Sequence, residues 1–284
     1  MFPLPRDKIL HLGLMLFACI SILSLFFIVF FLLFESWTII QSTSFASYFI
    51  DENWHPTDGE YLLLPMIAGS LFIMAGAMLL SVPIGIFTAL LWQFYAPRWF
   101  SVLLERIIEI LSGIPSVVYG FWGIVIIVPL LAKLQAPGTS LLAGIIVLTL
   151  IVLPTITLVA HSTLQQINKL HIQNAIALGL SRFTIIRHIV FPQAKRGLLS
   201  GVILQAGRAI GETLAVLMVC GNVVQIPGSL FEPVRTLTSN IALEMAYAMD
   251  THRSALFLSG LMLLLTVFLL IFVTEKIKSR ETQA

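Results

Sequence analysis

The feature that most constrains this chain is the recurrence of long apolar runs with almost no charge inside them. A helix needs about 20 predominantly apolar residues to cross the hydrocarbon core of a bilayer. Six stretches come near or exceed that length: residues 10–34, 62–94, 107–131, 141–160, 198–220 and 255–274. Composition agrees, with 58% hydrophobic residues and only 11% charged, where a soluble domain carries about a quarter charged. Backbone polar groups in a bilayer must be satisfied internally, so runs of this length predict helices. The expected fold class is an all-α integral membrane protein with six transmembrane helices. The second run is overlong and contains Pro83, so it is expected to tilt, kink or end early.

Arg6 and Lys8 precede the first run, and Leu16-Phe17-Ala18-Cys19 faintly resembles a lipoprotein cleavage site. The run continues to Phe34, however, so it reads as a retained first helix rather than a cleaved signal. Lys and Arg in the connections set the orientation. With the N-terminus inside, twelve fall on the cytoplasmic side (Arg6, Lys8, Arg98, Arg106, Lys169, Arg182, Arg187, Lys195, Arg196, Lys276, Lys278 and Arg280), and only Lys133, Arg235 and Arg253 fall outside. Glu35, Asp51, Glu52, Asp58 and Glu60 gather in the first outer loop. Both termini are therefore expected in the cytoplasm. Two connections exceed the usual length: 161–197 inside and 221–254 outside, the latter with a short surface helix expected over 236–249.

The most specific pattern lies in the inner connection, at Gln173-Asn174-Ala175-Ile176-Ala177-Leu178-Gly179-Leu180-Ser181-Arg182. Gly179 suits the left-handed conformation that ends helices, and Ser181 is placed to cap the next one. That second helix is expected to run to Phe191 and to stop at Pro192. A DNA-binding helix-turn-helix can look similar. The segment is squeezed between two spans with no soluble domain to supply a third helix, so no nucleic-acid partner is expected.

This loop resembles the "EAA" loop of the inner-membrane permeases of ABC importers: Glu-Ala-Ala, three residues, Gly, then about a dozen residues to a proline. Here Gln173-Asn174-Ala175, Gly179 and Pro192 keep the spacing, while Gln173 and Asn174 replace the usual Glu and Ala. The resemblance implies a knob that docks on an ATP-hydrolysing partner, with Ser181 and Arg182 inside it.

Within 198–220, Gln205, Arg208 and Glu212 fall at i, i+3 and i+7, one face of a continuous helix. Charges there cost at least about 2.5–3.5 kcal/mol each and normally face a bundle interior or a wet cavity. Arg208 can grip two oxygens of a tetrahedral oxyanion, Glu212 is expected as its resting partner one turn away, and Thr213 follows. A fixed ion pair that only holds helices together is the blander reading. Gly207 with Gly211, and Gly197 with Gly201, form small-xxx-small pairs that would let a neighbouring helix approach. Arg208-Ala209-Ile210-Gly211-Glu212-Thr213 is similar to the phosphate-specific branch of these permeases, the PstC type. So are Ser112-Gly113-Ile114-Pro115-Ser116-Val117-Val118-Tyr119-Gly120 and Pro233-Val234-Arg235-Thr236-Leu237-Thr238.

No Gly-x-x-x-x-Gly-Lys-Ser/Thr sequence is present, so the chain has no P-loop. It is not expected to be an enzyme or to bind a cofactor; ATP and Mg would sit on a partner ATPase. Six histidines show no ligand spacing, and His161, His171 and His188 read as interfacial loop residues. Cys19 and Cys220 both lie in apolar runs, which excludes a disulfide framework or a zinc spacing. The five tryptophans, Trp37, Trp54, Trp92, Trp99 and Trp122, read mostly as interfacial anchors.

The resemblance implies the type I ABC importer (MetI-like) permease fold: an N-terminal helix and outer loop over 1–61, a permease domain over 62–274 and a cytoplasmic tail over 275–284. It implies phosphate as cargo, a multi-pass place in the bacterial inner membrane among lipid, and three kinds of partner. These are a homologous PstA-type permease, a dimer of ATPase subunits and a periplasmic phosphate-binding protein. Another oxyanion, such as molybdate, sulfate or phosphonate, would fit the same machine. A secondary transporter driven by an ion gradient would have no use for the loop.

Overall fold

The computed structural model describes residues 5–42, 47–50 and 53–283. Asp51 and Glu52, counted above among the outer acidic residues, lie outside them. Helix α1 (Pro5–Ser42) is followed by one turn, α2 (Ser47–Ile50), and a small antiparallel hairpin. In the hairpin, Trp54 of β1 (Trp54–His55) pairs with Tyr61 of β2 (Glu60–Tyr61). Next come α3 (Leu64–Phe94), α4 (Arg98–Gly113), α5 (Ser116–Trp122), a π-helical turn (Gly123–Ile127) and α6 (Val128–Ala132). The chain continues through α7 (Leu141–Gln165), α8 (Lys169–Ala177) and α9 (Arg182–Ile185) to a second π turn (Ile186–Val190). The last helices are α10 (Phe191–Ile210), α11 (Leu214–Val219), α12 (Leu237–Glu244) and α13 (Asp250–Gln283).

All-α membrane architecture is what the apolar runs predict, but six intact spans are not what forms. Among the described residues, four helices are long and apolar enough to cross a bilayer: Leu10–Ser42, Leu64–Phe94, Leu141–Gln165 and Asp250–Phe272. A fifth span exists if Arg98–Gly113 and Ser116–Ala132, bent by 91°, are taken together. The bend falls where Ile114 precedes Pro115 and adopts ψ 128°, because proline pushes the residue before it out of the helical region. By contrast α3 runs unbroken through Pro83.

The run over 198–220 is likewise two pieces. The amides of Gly211 and Glu212 turn back to the carbonyls of Arg208 and Ala209, at 3.2 Å each. These are tight i→i−3 bonds that close α10 at Gly211, a poor helix former. At the other end of α10, Pro192 does not stop the helix. The π turn just before it closes with the Phe191 amide on the Ile186 carbonyl. That wider turn accommodates a ring that would otherwise clash with the preceding turn of an α-helix.

Helices α3 and α7 form the central pair, α10 packs across both, and α1 and α13 pair at the side. Gly197 and Gly201 do admit a neighbour: a Cβ at either would lie 2.5 and 2.4 Å from Thr163 and Val159 of α7. Gly207 and Gly211 do not, since a Cβ at Gly207 would meet only Val267, at 4.0 Å. Three clusters of buried side chains run along the long axis. The middle one joins Ile73, Leu148, Ala215 and Val216, one at the hairpin end joins Trp54, Tyr61, Met66 and Leu237, and one under α8 and α9 joins Ala160, Ala175, Ile185 and Val190.

His161 is not a loop residue. It is buried in α7 and stacks on Trp92, ring centroids 3.7 Å apart. Trp92 and Trp54 are also buried rather than placed at an exposed belt.

Candidate functional site

The break between α10 and α11 gathers the polar residues of the fifth run and separates them. Gln205 is 6% exposed, and its Oε1 accepts from Thr155 Oγ1 of α7 at 2.9 Å. Thr155 lies about 21 Å into α7 at 1.5 Å per residue, close to mid-span. Gln205 is thus a cross-link between helices. Arg208, one turn further on, is exposed and shares with Gln205 the lining of a groove of about 660 Å³ between α10 and α13, bordered by Ser200, Leu204, Val267 and Ile271.

The expected Arg208–Glu212 ion pair is not formed. Among the described residues the Arg208 guanidinium has neither an ion pair nor a hydrogen bond. The i, i+7 argument fails because the helix ends at Ile210. Beyond that point Glu212 no longer continues the α10 face, and its Oε1 accepts instead from the Thr213 amide at 3.3 Å. The Thr213 hydroxyl donates to the Gly211 carbonyl at 3.2 Å. Arg208 lies in the last turn of α10, where the helix dipole favours a cation.

The break is completed from the far side of the sequence. Thr238 Oγ1 of α12 donates to the Glu212 carbonyl at 3.0 Å, a backbone group in the non-helical break that needs a partner. The Leu237 amide donates to Ser70 Oγ of α3 at 3.0 Å. The outer helix is therefore shorter than 236–249, and its first turn is buried (Leu237, Thr238, Ser239 and Asn240) rather than lying on the surface.

The knob formed by α8 and α9 follows local rules. Gly179 takes φ +77° between the helices, and Ser181 Oγ accepts from the Thr184 amide at 3.2 Å. Gln173 and Asn174 are exposed and Ala175 is buried beneath them. Large apolar side chains stand out around them: Leu178 is 80% exposed, Phe183 66% and Ile176 60%. Arg182 stays exposed but reaches α3, with Nη1 donating to the Phe94 carbonyl at the end of that helix, at 3.0 Å. Pro192 is exposed within the continuing helix.

One cluster escaped the sequence reading. At the hairpin end Glu244 binds Arg235 Nη1 at 2.6 Å, Trp54 Nε1 at 2.8 Å and His252 Nε2 at 2.9 Å. Only Arg235 carried a signal, as part of the outer segment noted above.

Residues 81–280 match the family of binding-protein-dependent transport system inner membrane components. The probable ABC transporter permease protein YqgH of Bacillus subtilis is 38% identical over 249 residues, covering 86% of this chain and 81% of that one. The phosphate transport system permease protein PstC of Mesorhizobium japonicum is 30% identical over 262 residues, covering 84% and 80%. In fold, a chain of the inward-facing MetNI methionine ABC transporter superimposes with a TM-score of 0.58 at 19% identity, over 76% of this chain and 92% of that one.

Proposed function

Since this chain belongs to the binding-protein-dependent transport system inner membrane components and so is a permease of an ABC importer, we propose that the anion it carries is inorganic phosphate. The observation that carries this reading is the Arg208 guanidinium, unpaired among the described residues, exposed to a groove and one turn from a helix break. A fixed cation at that depth is costly in the absence of a counter-ion. A tetrahedral oxyanion supplies one and takes two parallel N–H donors from the fork. Glu212, turned onto the Thr213 amide, leaves the charge of Arg208 available. Its carboxylate would repel an anion that strayed past, and the Thr213 hydroxyl would offer a neutral donor at the break. The relatives named as phosphate permeases support the choice of phosphate over another oxyanion.

In this reading the importer works by alternating access in the bacterial inner membrane, with both termini and the knob in the cytoplasm. Two copies of an ATPase partner, holding ATP and Mg, bind the knobs of this chain and of a homologous PstA-type permease. Exposed Leu178, Phe183 and Ile176 supply the apolar contact, and Gln173 and Asn174 supply hydrogen bonds in place of an ion pair. A periplasmic phosphate-binding protein delivers cargo at the hairpin end.

The test is ATP-dependent uptake of radiolabelled phosphate by vesicles holding the assembled transporter, wild type against Arg208→Ala. Loss of roughly 99% of uptake with assembly intact is the expected result, since about 3 kcal/mol of lost charge-assisted binding is a factor of a hundred or more. Unchanged uptake in Arg208→Ala removes the arginine from the path. Wild-type uptake of sulfate or molybdate in place of phosphate overturns the cargo and leaves the ABC assignment standing.

A further inference from the structure

Glu244 ends α12 and is 7% exposed. Its three donors come from three different parts of the chain. Trp54 belongs to the hairpin, Arg235 to the strap that leads into α12, and His252 to α13. Arg235 is itself held, with Nε donating to the Asn222 carbonyl at 2.9 Å and Nη1 to Asn240 Oδ1 at 3.1 Å. The other end of α12 rests on the break, through Thr238 on the Glu212 carbonyl and the Leu237 amide on Ser70. Helix α12 is thus a short bar, seated at one end on the α10–α11 break and pinned at the other to three elements.

We propose that Glu244 is a positioning residue for transport: its three-donor cluster latches α12 onto the break, and the latch releases when the outer path opens. The setting of the cluster is what allows release. A charge network sealed in a dry interior would be close to permanent, because each separated ion would lose its partner without gaining water. This one borders an open cavity of about 740 Å³ lined by Trp54, Arg235, Glu244, Tyr247 and His252. That cavity has room for water and polar lining side chains, among them Asn53, Asp250 and Thr251, so it can hydrate the carboxylate and the guanidinium once they part. The proposal rests on reading the chain as a transport path, not on the identity of the cargo.

The test uses the full transporter in vesicles, with exposed Cys19 replaced by serine and buried Cys220 left in place. Ser239→Cys, a near-isosteric change in the buried first turn of α12 that leaves the Thr238 seat in place, reports access to a membrane-impermeant thiol reagent applied at the hairpin end. With Glu244 present, labelling is expected to be slow at rest and to rise when binding protein and ATP drive turnover. In Glu244→Gln it is expected to rise about tenfold at rest and to lose its dependence on ATP. A Glu244 that only stabilises the fold would lower the yield of assembled complex and leave the ATP dependence intact, which overturns the proposal. Flat labelling of the Glu244 protein under turnover overturns it as well. If Glu244→Gln does not assemble, Trp54→Phe and His252→Phe each remove one donor and keep the carboxylate. A rise of about threefold in either supports the latch, and unchanged rates in both sink it. Labelling does not depend on which anion is carried, so a failure of phosphate uptake with this pattern intact would count against the cargo alone.

Discussion

The knob and the hairpin end are built by opposite means. At the knob, Asn168 caps α8 through the Leu170 amide, Gly179 makes the turn and Ser181 caps α9, each acting within three residues of itself. At the hairpin end, Trp54 meets Glu244 and Tyr61 meets Thr251, each across 190 residues of sequence, and Leu237 meets Ser70 across 167. A locally specified knob keeps its shape while leaving apolar side chains exposed for another chain to cover. An end held by long-range contacts moves only as a unit, which suits a gate. Changes of one side chain should therefore spread at the hairpin end and stay local at the knob.

Two glycines give the sharpest form of that comparison. Gly221 and Gly179 have nearly the same backbone, φ +81° and +77°. A Cβ at Gly221 would lie 2.8 Å from Pro233 Cβ and 2.9 Å from Thr139 Oγ1, whereas at Gly179 it would meet nothing within 4 Å. Gly221→Ala is expected to cost about 1–2 kcal/mol for the left-handed residue and about 1–3 kcal/mol more for overpacking. It should show as clearly faster thermal inactivation of the detergent-solubilised complex and a lower yield. Wild-type behaviour in Gly221→Ala would break the contrast outright. Gly179→Ala should pay the backbone part alone, about 1–2 kcal/mol, and its effect should appear as altered coupling of ATP hydrolysis to uptake rather than as loss of the complex.

What the sequence made legible follows the same division. Gly179 and Ser181 could be read because their signals act on the adjacent turn, and the long apolar runs could be read because a bilayer demands them. Pro192 misled because a proline stops a helix only if the turn before it stays α-helical; the π turn at Ile186–Val190 is not written in any single residue. The Arg208–Glu212 pair misled because spacing along an ideal helix takes no account of where the helix ends, and Gly211 ends it. The bend at Ile114–Pro115 was available as an X-Pro signal but was hidden by apolar residues on both sides. Nothing near Trp54 in sequence announces Glu244, so that cluster is visible only in three dimensions.

The smallest expected effect tests the knob most closely. Ser181 Oγ accepts from the Thr184 amide and also lies 2.9 Å from the Thr184 hydroxyl. Removing an N-cap of this kind typically costs about 1 kcal/mol. Ser181 is exposed, so water can replace part of what the hydroxyl supplied, and the loss in Ser181→Ala should fall near about 0.5–1 kcal/mol. That corresponds to roughly two- to fivefold faster hydrogen exchange confined to the amides of Arg182, Phe183 and Thr184. The buried cluster beneath, with Ala175, Ile185 and Val190, should hold the rest of the knob, so exchange in α8 and α10 and the inactivation temperature should stay at their wild-type values. An inactivation shift as large as that of Gly221→Ala would mean that the knob is tied into the bundle as tightly as the hairpin end. The tie would then run through Arg182 and the Phe94 carbonyl, the one contact in the described knob that reaches α3 by a side-chain hydrogen bond.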